Sequence, residues 1–262
     1  MELLFNNIVD GFTVFIIVFA RMTGLFLLSP ILGRRNIPSY AKIGLSLLLS
    51  YIVFSSKLVV LEAELNSWLH LAYCIIKELL VGFVMGFVTT LTFSAIWTAG
   101  QILDTQIGFG IISTIDPQNN IQIPLMANFN NMLALLLFFT LDGHHKLIQI
   151  IFDSYDLVPF GGGVITKNLS MGMVKLFTDS FILSVKIAIP IIAASFFSVI
   201  AFGILARAVP QINVFIVQIP FKIFIGLVVL LIAVPFFIRG LNILFENMFS
   251  NIATMIQELI PR

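Results

Sequence analysis

Arg21, Lys77, Glu78, Lys186 and Lys222 stand inside, or near the ends of, long apolar runs. A charge held at mid-bilayer costs about 2.5–3.5 kcal/mol on insertion scales, so each must face protein, water or a counter-charge. For Arg21 and Lys222 two roles compete: snorkelling or an ion pair between subunits, and a direct part in transport. Lys77 and Glu78 are adjacent, so on a helix they diverge by about 100° and pair poorly with each other. Each is expected to find its partner elsewhere, on this chain or on another. Asp142, His144 and His145 fall in "LDGHHK". Adjacent histidines can ligate a metal, but the sequence offers no spaced Cys, His and carboxylate set of the kind zinc uses. A turn at Asp142-Gly143 closing a helix is the better reading, and neither metal nor cofactor is expected.

Other catalytic patterns are missing. No Gly-x-x-x-x-Gly-Lys-Ser/Thr loop is present, which excludes nucleotide hydrolysis by that route. "GFGIIS" lacks the third glycine of a dinucleotide fingerprint, and no serine or cysteine carries a nucleophile signature. An intramembrane site assembled from Asp104, Asp142 or His144 is the residual enzymatic reading, and an enzyme is not expected. The single cysteine, Cys74, lies in an apolar run, so it forms no intramolecular disulfide and reads as a small buried hydrophobe. A net charge of +1 lacks the basic excess that a nucleic-acid partner requires.

The elements that must position these residues are far more apolar than those of a soluble domain. Of 262 residues, 59% are hydrophobic and 10% charged, and mean hydropathy is +1.08. Water would not tolerate that surface, so the chain reads as an all-α membrane or membrane-complex protein. Apolar runs at 12–28, 41–60, 69–97, 126–141, 177–205 and 214–238 are candidates for spanning helices, which need roughly 20 residues; the fourth is short. Between them lie the basic "PILGRRNIPSY", the acidic "LEAELNS", a polar connection over 142–175 and the short "RAVPQIN". Leu241, Leu244, Phe245, Met248, Ile252, Ile256 and Leu259 recur at helical spacing. They predict an amphipathic C-terminal helix over 241–259, packed on protein or lying at an interface. The whole of 1–262 reads as one domain.

Pro190, Pro220 and Pro235 inside apolar helices predict kinks, and Gly82 and Gly86 allow close helix contact. The positive-inside rule fails. If Arg34, Arg35 and Lys42 are cytoplasmic, Glu62 and Glu64 fall outside as they should, but so do Lys146, Lys167 and Lys175. Either one run does not span or the protein is placed unusually in the bilayer. "MELLFNNIVDG" lacks a basic n-region, so no cleavable signal peptide is expected.

"GQILDTQIGFGIISTIDPQNN", residues 100–120, is too polar to span comfortably and too apolar for a solvated linker. Gly108 and Gly110 permit a tight path, Phe109, Ile111, Ile112 and Ile115 can pack in a narrow space, and Pro117 helps end the excursion. In "GILARAVPQINVFIVQIPFKIFIG", a turn with Arg207, Pro210, Gln211 and Asn213 joins two apolar helices and is followed by Pro220 and Lys222. This stretch resembles the signature of the R-type export-gate subunits of flagellar type III secretion. "RMTGLFLLSPILGRRNIPSYAKIGLSL", with Arg21, Gly24, Pro30, Pro38 and Lys42, is similar to the family's N-terminal pattern. "KELLVGFVMGF" (Lys77, Glu78), "GQILDTQIGFG" (Asp104), "DPQNN" and "LDGHH" follow in the family's order.

The resemblance implies a role that composition does not. R-type subunits join P-type and Q-type partners in a funnel-shaped gate in the flagellar basal body at the bacterial inner membrane, alongside the B-type and A-type export proteins. Unfolded protein substrates pass through it. Their helices form kinked hairpins held largely above the membrane plane, which would account for the failed charge rule. By position, Gln106, Gly108, Phe109, Gly110, Ile111, Ile112, Ile115, Asp116 and Pro117 match the family's pore plug. Arg21, Gly24, Pro30, Pro38, Lys77, Glu78, Asp104, Arg207, Pro210, Gln211, Asn213, Pro220 and Lys222 are implied to serve assembly. A polytopic secondary transporter of a small solute, motivated by Arg21, Lys186 and Lys222 in broken helices, is the alternative.

Overall fold

The computed structural model describes residues 2–33, 37–56, 68–109, 124–211 and 213–260. Seven helices occupy them: α1 (Glu2–Leu28), α2 (Ser39–Ser56), α3 (Trp68–Ile107), α4 (Leu125–Thr140), α5 (Gly143–Leu157), α6 (Lys167–Ala208) and α7 (Val214–Gln257). No strand occurs among the described residues, so the chain is all-α as its composition indicates. Five helices, α1, α2, α3, α6 and α7, are long and apolar enough to cross a membrane; α4 and α5 make a sixth only if counted together.

Three element boundaries differ from the sequence reading. The helix expected to end at residue 97 continues to Ile107, because Leu103 and Ile107 extend its buried face. The polar connection over 142–175 contains α5 and the start of α6. Its helical period was hidden by a polar outer face, but Leu147, Ile151 and Tyr155 recur every fourth residue and are buried. The last apolar run and the amphipathic tail form one helix, α7, which continues through Pro220 and Pro235. The tail's apolar residues are buried as expected, on the protein side of the two alternatives.

The chain divides into two compact units. The first comprises Met1–Leu91, Asp142–Leu176 and Glu246–Arg262. Here α1 and the first half of α3 cross at glycines. A methyl group at Gly82 would overlap the Arg21 carbonyl oxygen and lie 2.9 Å from the Leu25 nitrogen. One at Gly24 would overlap the Leu79 carbonyl oxygen. The Thr90 hydroxyl donates to the Leu28 carbonyl beside this crossing. On the other flank of α1, Phe15 meets Phe54 of α2 edge-on at 6.3 Å. Thr166 caps α6 by accepting from the Leu169 N–H at 3.0 Å. Thr166 also donates to the Glu258 carbonyl at 2.7 Å, and the Val164 N–H donates to the Leu259 carbonyl at 3.0 Å, which ties down the C-terminal segment.

The second unit comprises Thr92–Leu141 and Phe177–Phe245. Its core holds Phe93, Phe138 and Phe245, with ring centroids 5.5–6.0 Å apart, and a cluster of Leu103, Ile107, Ala188 and Ile191. Gly100 lets α3 approach α4 so closely that a methyl group there would overlap the Ala127 backbone. Phe177, Phe181, Phe196, Phe197, Phe224 and Leu231 point outward and are exposed. Much of the apolar surface of α6 and α7 is therefore left for lipid or protein to cover.

Gly82→Ala is expected to force α1 and α3 apart and cost about 1–3 kcal/mol, as overpacking of a close contact does. Gly44→Ala, with nothing within 4 Å of the added methyl, is expected to be neutral or stabilising. Thermal unfolding of the two variants in detergent separates these outcomes.

Candidate functional site

The first unit is organised around a charge that sequence alone left without a partner. Arg21 of α1 and Glu78 of α3 are both fully buried and form a two-pronged ion pair: Nε donates to Oε2 at 2.6 Å and Nη2 to Oε1 at 3.0 Å. Nη2 also donates to the Val158 carbonyl at 2.9 Å, and Nη1 donates to the Ser154 hydroxyl at 3.0 Å. That hydroxyl in turn donates to the Ile151 carbonyl at 2.6 Å. The Tyr155 ring lies under the guanidinium, 3.9 Å from its carbon. Glu78 Oε1 accepts further from the Gly161 N–H at 2.9 Å.

Gly161 has a positive φ of 71°, and a methyl group there would stand 3.0 Å from Cys74 Sγ. Glycine suits both constraints. Lys77, next to Glu78 but turned aside, donates to the Gly161 carbonyl at 3.0 Å and lies over the Tyr73 ring at 4.5 Å. Arg21, Lys77 and Glu78 thus find partners within this chain, and Arg21, fully buried in it, does not snorkel. Gly24 belongs to the same crossing. Sequence reasoning missed Ser154, Tyr155 and Gly161 because they lie in the stretch read as a connection. The signal was there: "YDLVPFGGG" sets three glycines directly after a helix.

Nearby, the Pro38 carbonyl accepts the Ala41 and Lys42 N–H groups at 3.0 and 3.3 Å, which starts α2. Lys42 Nζ reaches back to the Gly33 carbonyl at 2.9 Å, closing the turn that contains Pro30.

In the second unit Asp104 acts as a clasp. α3 ends at Gly108, whose φ of 101° suits glycine. The Gly108 and Phe109 N–H groups turn back to the Asp104 carbonyl at 3.2 and 3.0 Å. The Asp104 carboxylate accepts the Met126 and Ala127 N–H groups at 2.8 and 3.2 Å. These open α4, whose preceding Pro124 supplies no side-chain cap. A carboxylate at a helix N-terminus satisfies free donors and meets the positive end of the helix dipole. Ser195 donates to the Gln106 carbonyl at 3.1 Å. Phe109 packs on the Leu103, Ile107, Ala188 and Ile191 cluster, and Gly226 lies against Ile107. One residue is therefore bonded to the chain on both sides of residues 110–123.

Of the plug residues expected from sequence, Gln106 lies in the last turn of α3, and Gly108 and Phe109 form the anchored root. Gly110, Ile111, Ile112, Ile115, Asp116 and Pro117 lie outside the described residues. Arg207 occupies the last turn of α6, where a cation suits the dipole. Pro210, Gln211 and Asn213 are exposed between α6 and α7, and the Asn213 carbonyl accepts the Ile216 N–H at 3.1 Å. Pro220 is exposed and Lys222 half-buried on α7, while Lys186 is exposed on α6.

Removing one member of the buried pair strands a charge, so Arg21→Met or Glu78→Leu alone is expected to cost about 3–5 kcal/mol. The double variant should lose less than the sum of the two. Unfolding midpoints of all four proteins in a double-mutant cycle give the coupling, and strictly additive losses would refute it.

The model of the family "Bacterial export proteins, family 1" matches residues 12–248. The chain is 33% identical to the flagellar biosynthetic protein FliR of Bacillus subtilis, over 87% of this chain and 88% of that one. It is 29% identical to FliR of Escherichia coli, over 91% of each, and 27% identical to FliR of Aquifex aeolicus, over 90% and 91%. The ordered motifs in the sequence and a family match across nearly its whole length agree: the chain belongs to the bacterial export proteins, family 1.

Proposed function

We propose that this chain is a gating and assembly subunit of the flagellar protein export apparatus. In this reading it lines a pore for unfolded substrates together with P-type and Q-type subunits, near the B-type and A-type proteins, in the basal body at the inner membrane. It acts as a conduit and not as an enzyme. The observation that carries the gating role is the clasp. In a member of an export family, a segment bearing Ile111, Ile112 and Ile115 runs between two ends that are both fixed to Asp104. A stopper needs such a root: it can leave the pore while the helices that carry it stay folded. The exposed aromatic faces of α6 and α7 favour assembly with apolar partners. The transporter alternative is weakened, because Arg21, one of its three charges, is sealed within the protein.

Deleting residues 110–120 is expected to leave the complex recoverable but make the resting pore leaky to ions and small solutes. Asp104→Asn, which keeps the shape and discharges the clasp, should leak less. Membrane conductance in resting cells tests both, and unchanged conductance after the deletion would reject the plug.

Pro210→Ala and Asn213→Ala, at the exposed turn between α6 and α7, are expected to reduce co-purification with partner subunits more than they alter conductance. Full recovery of the complex with poor secretion would reverse that assignment.

A further inference from the structure

We propose that Asp142, His144 and His145, at the turn leading into α5, bind a divalent transition-metal ion of the zinc type. Sequence showed the three side chains in one short stretch; the fold adds their geometry. One donor atom from each of the three residues lies within 4.8 Å of the others. Asp142 Oδ1 and His145 Nδ1 are 3.2 Å apart. Two donors at about 2.0–2.1 Å from one tetrahedral centre stand roughly 3.3 Å apart, so that edge of a coordination shell is already in place. The imidazole rings are 4.0 Å apart between centroids.

Asp142 precedes the first turn of α5, yet its carboxylate makes no capping hydrogen bond. Its backbone is left-handed, with φ 54° and ψ 29°, and the carboxylate faces the imidazole instead. Its negative charge offsets the positive end of α5, which would otherwise repel a cation. Asp142 and His145 are both exposed, which leaves room for water or another ligand at the fourth position. Two imidazoles and one carboxylate suit Zn²⁺ or Ni²⁺; Mg²⁺ and Ca²⁺ prefer shells made of oxygen alone.

Calorimetric titration of the full-length protein, purified without a polyhistidine tag, tests the site with Zn²⁺, Ni²⁺ and Mg²⁺ in turn. About one Zn²⁺ or Ni²⁺ per chain is expected, with no Mg²⁺. Asp142→Asn and His145→Ala should each weaken zinc binding by about tenfold or more, whereas His70→Ala should not. Because the altered side chains are exposed, metal-free unfolding midpoints should match the parent. Cobalt(II) absorption in the parent protein is a second readout, independent of any variant: tetrahedral bands are expected, and a spectrum of the aqueous ion would overturn the proposal. An absence of zinc uptake at millimolar concentration, or uptake unchanged in both variants, would leave an ordinary Asp–His pair and overturn it too.

Discussion

A guanidinium and a carboxylate removed from water must replace every contact that water supplied, and the first unit is built to meet that demand. The fork between Arg21 and Glu78 neutralises the charge, but the leftover N–H groups and lone pairs would still be costly in so apolar a setting. Ser154, the Val158 carbonyl and the Gly161 N–H supply the missing partners. Each imposes a condition on the fold. α1 and α3 must nearly touch, hence Gly24 and Gly82. α5 must end beside them. The chain beyond it must turn tightly, hence the positive φ at Gly161.

The second unit handles a buried acid differently. The Asp104 carboxylate is met by backbone N–H groups at the start of α4. A counter-ion fixes two side chains in space, whereas a helix terminus fixes a point where the main chain enters an element. That difference fits the two units' roles. The first bond welds helices together, and the second ties the end of α3 to the start of α4.

Class and family were legible in the sequence because both rest on features carried locally. Hydropathy gives long helices directly, and the turn around Arg207, Pro210 and Asn213 keeps its order whatever packs on it. The tail from Leu241 declared its buried face through spacing alone. α5 was not legible: His144, His145, Lys146, Asp153 and Asp156 make its outer side polar, so mean hydropathy fell while the period survived. The pairing of Arg21 with Glu78 was hidden for another reason. It joins residues 57 positions apart, and no local pattern distinguishes a charge awaiting an internal partner from one awaiting another subunit. The extra helical turns before Gly108 escaped notice because Gly100, Gln101, Asp104 and Gln106 end the apolar run while the helix itself continues.

The first unit is assembled from three stretches of chain, the last of which begins only at Glu246. During synthesis, Arg21 and Glu78 emerge early and can meet, but Ser154 and Gly161 arrive much later. The carbonyls of Glu258 and Leu259, which hold Thr166 and Val164, come almost at the end. Until Gly161 is made the nascent chain carries a half-satisfied ion pair, and until Leu259 is made an unfastened turn. Completion of this unit thus requires that synthesis has passed Leu259. A chain ended before Glu258 would leave the Thr166 hydroxyl and the Val164 N–H without those carbonyls.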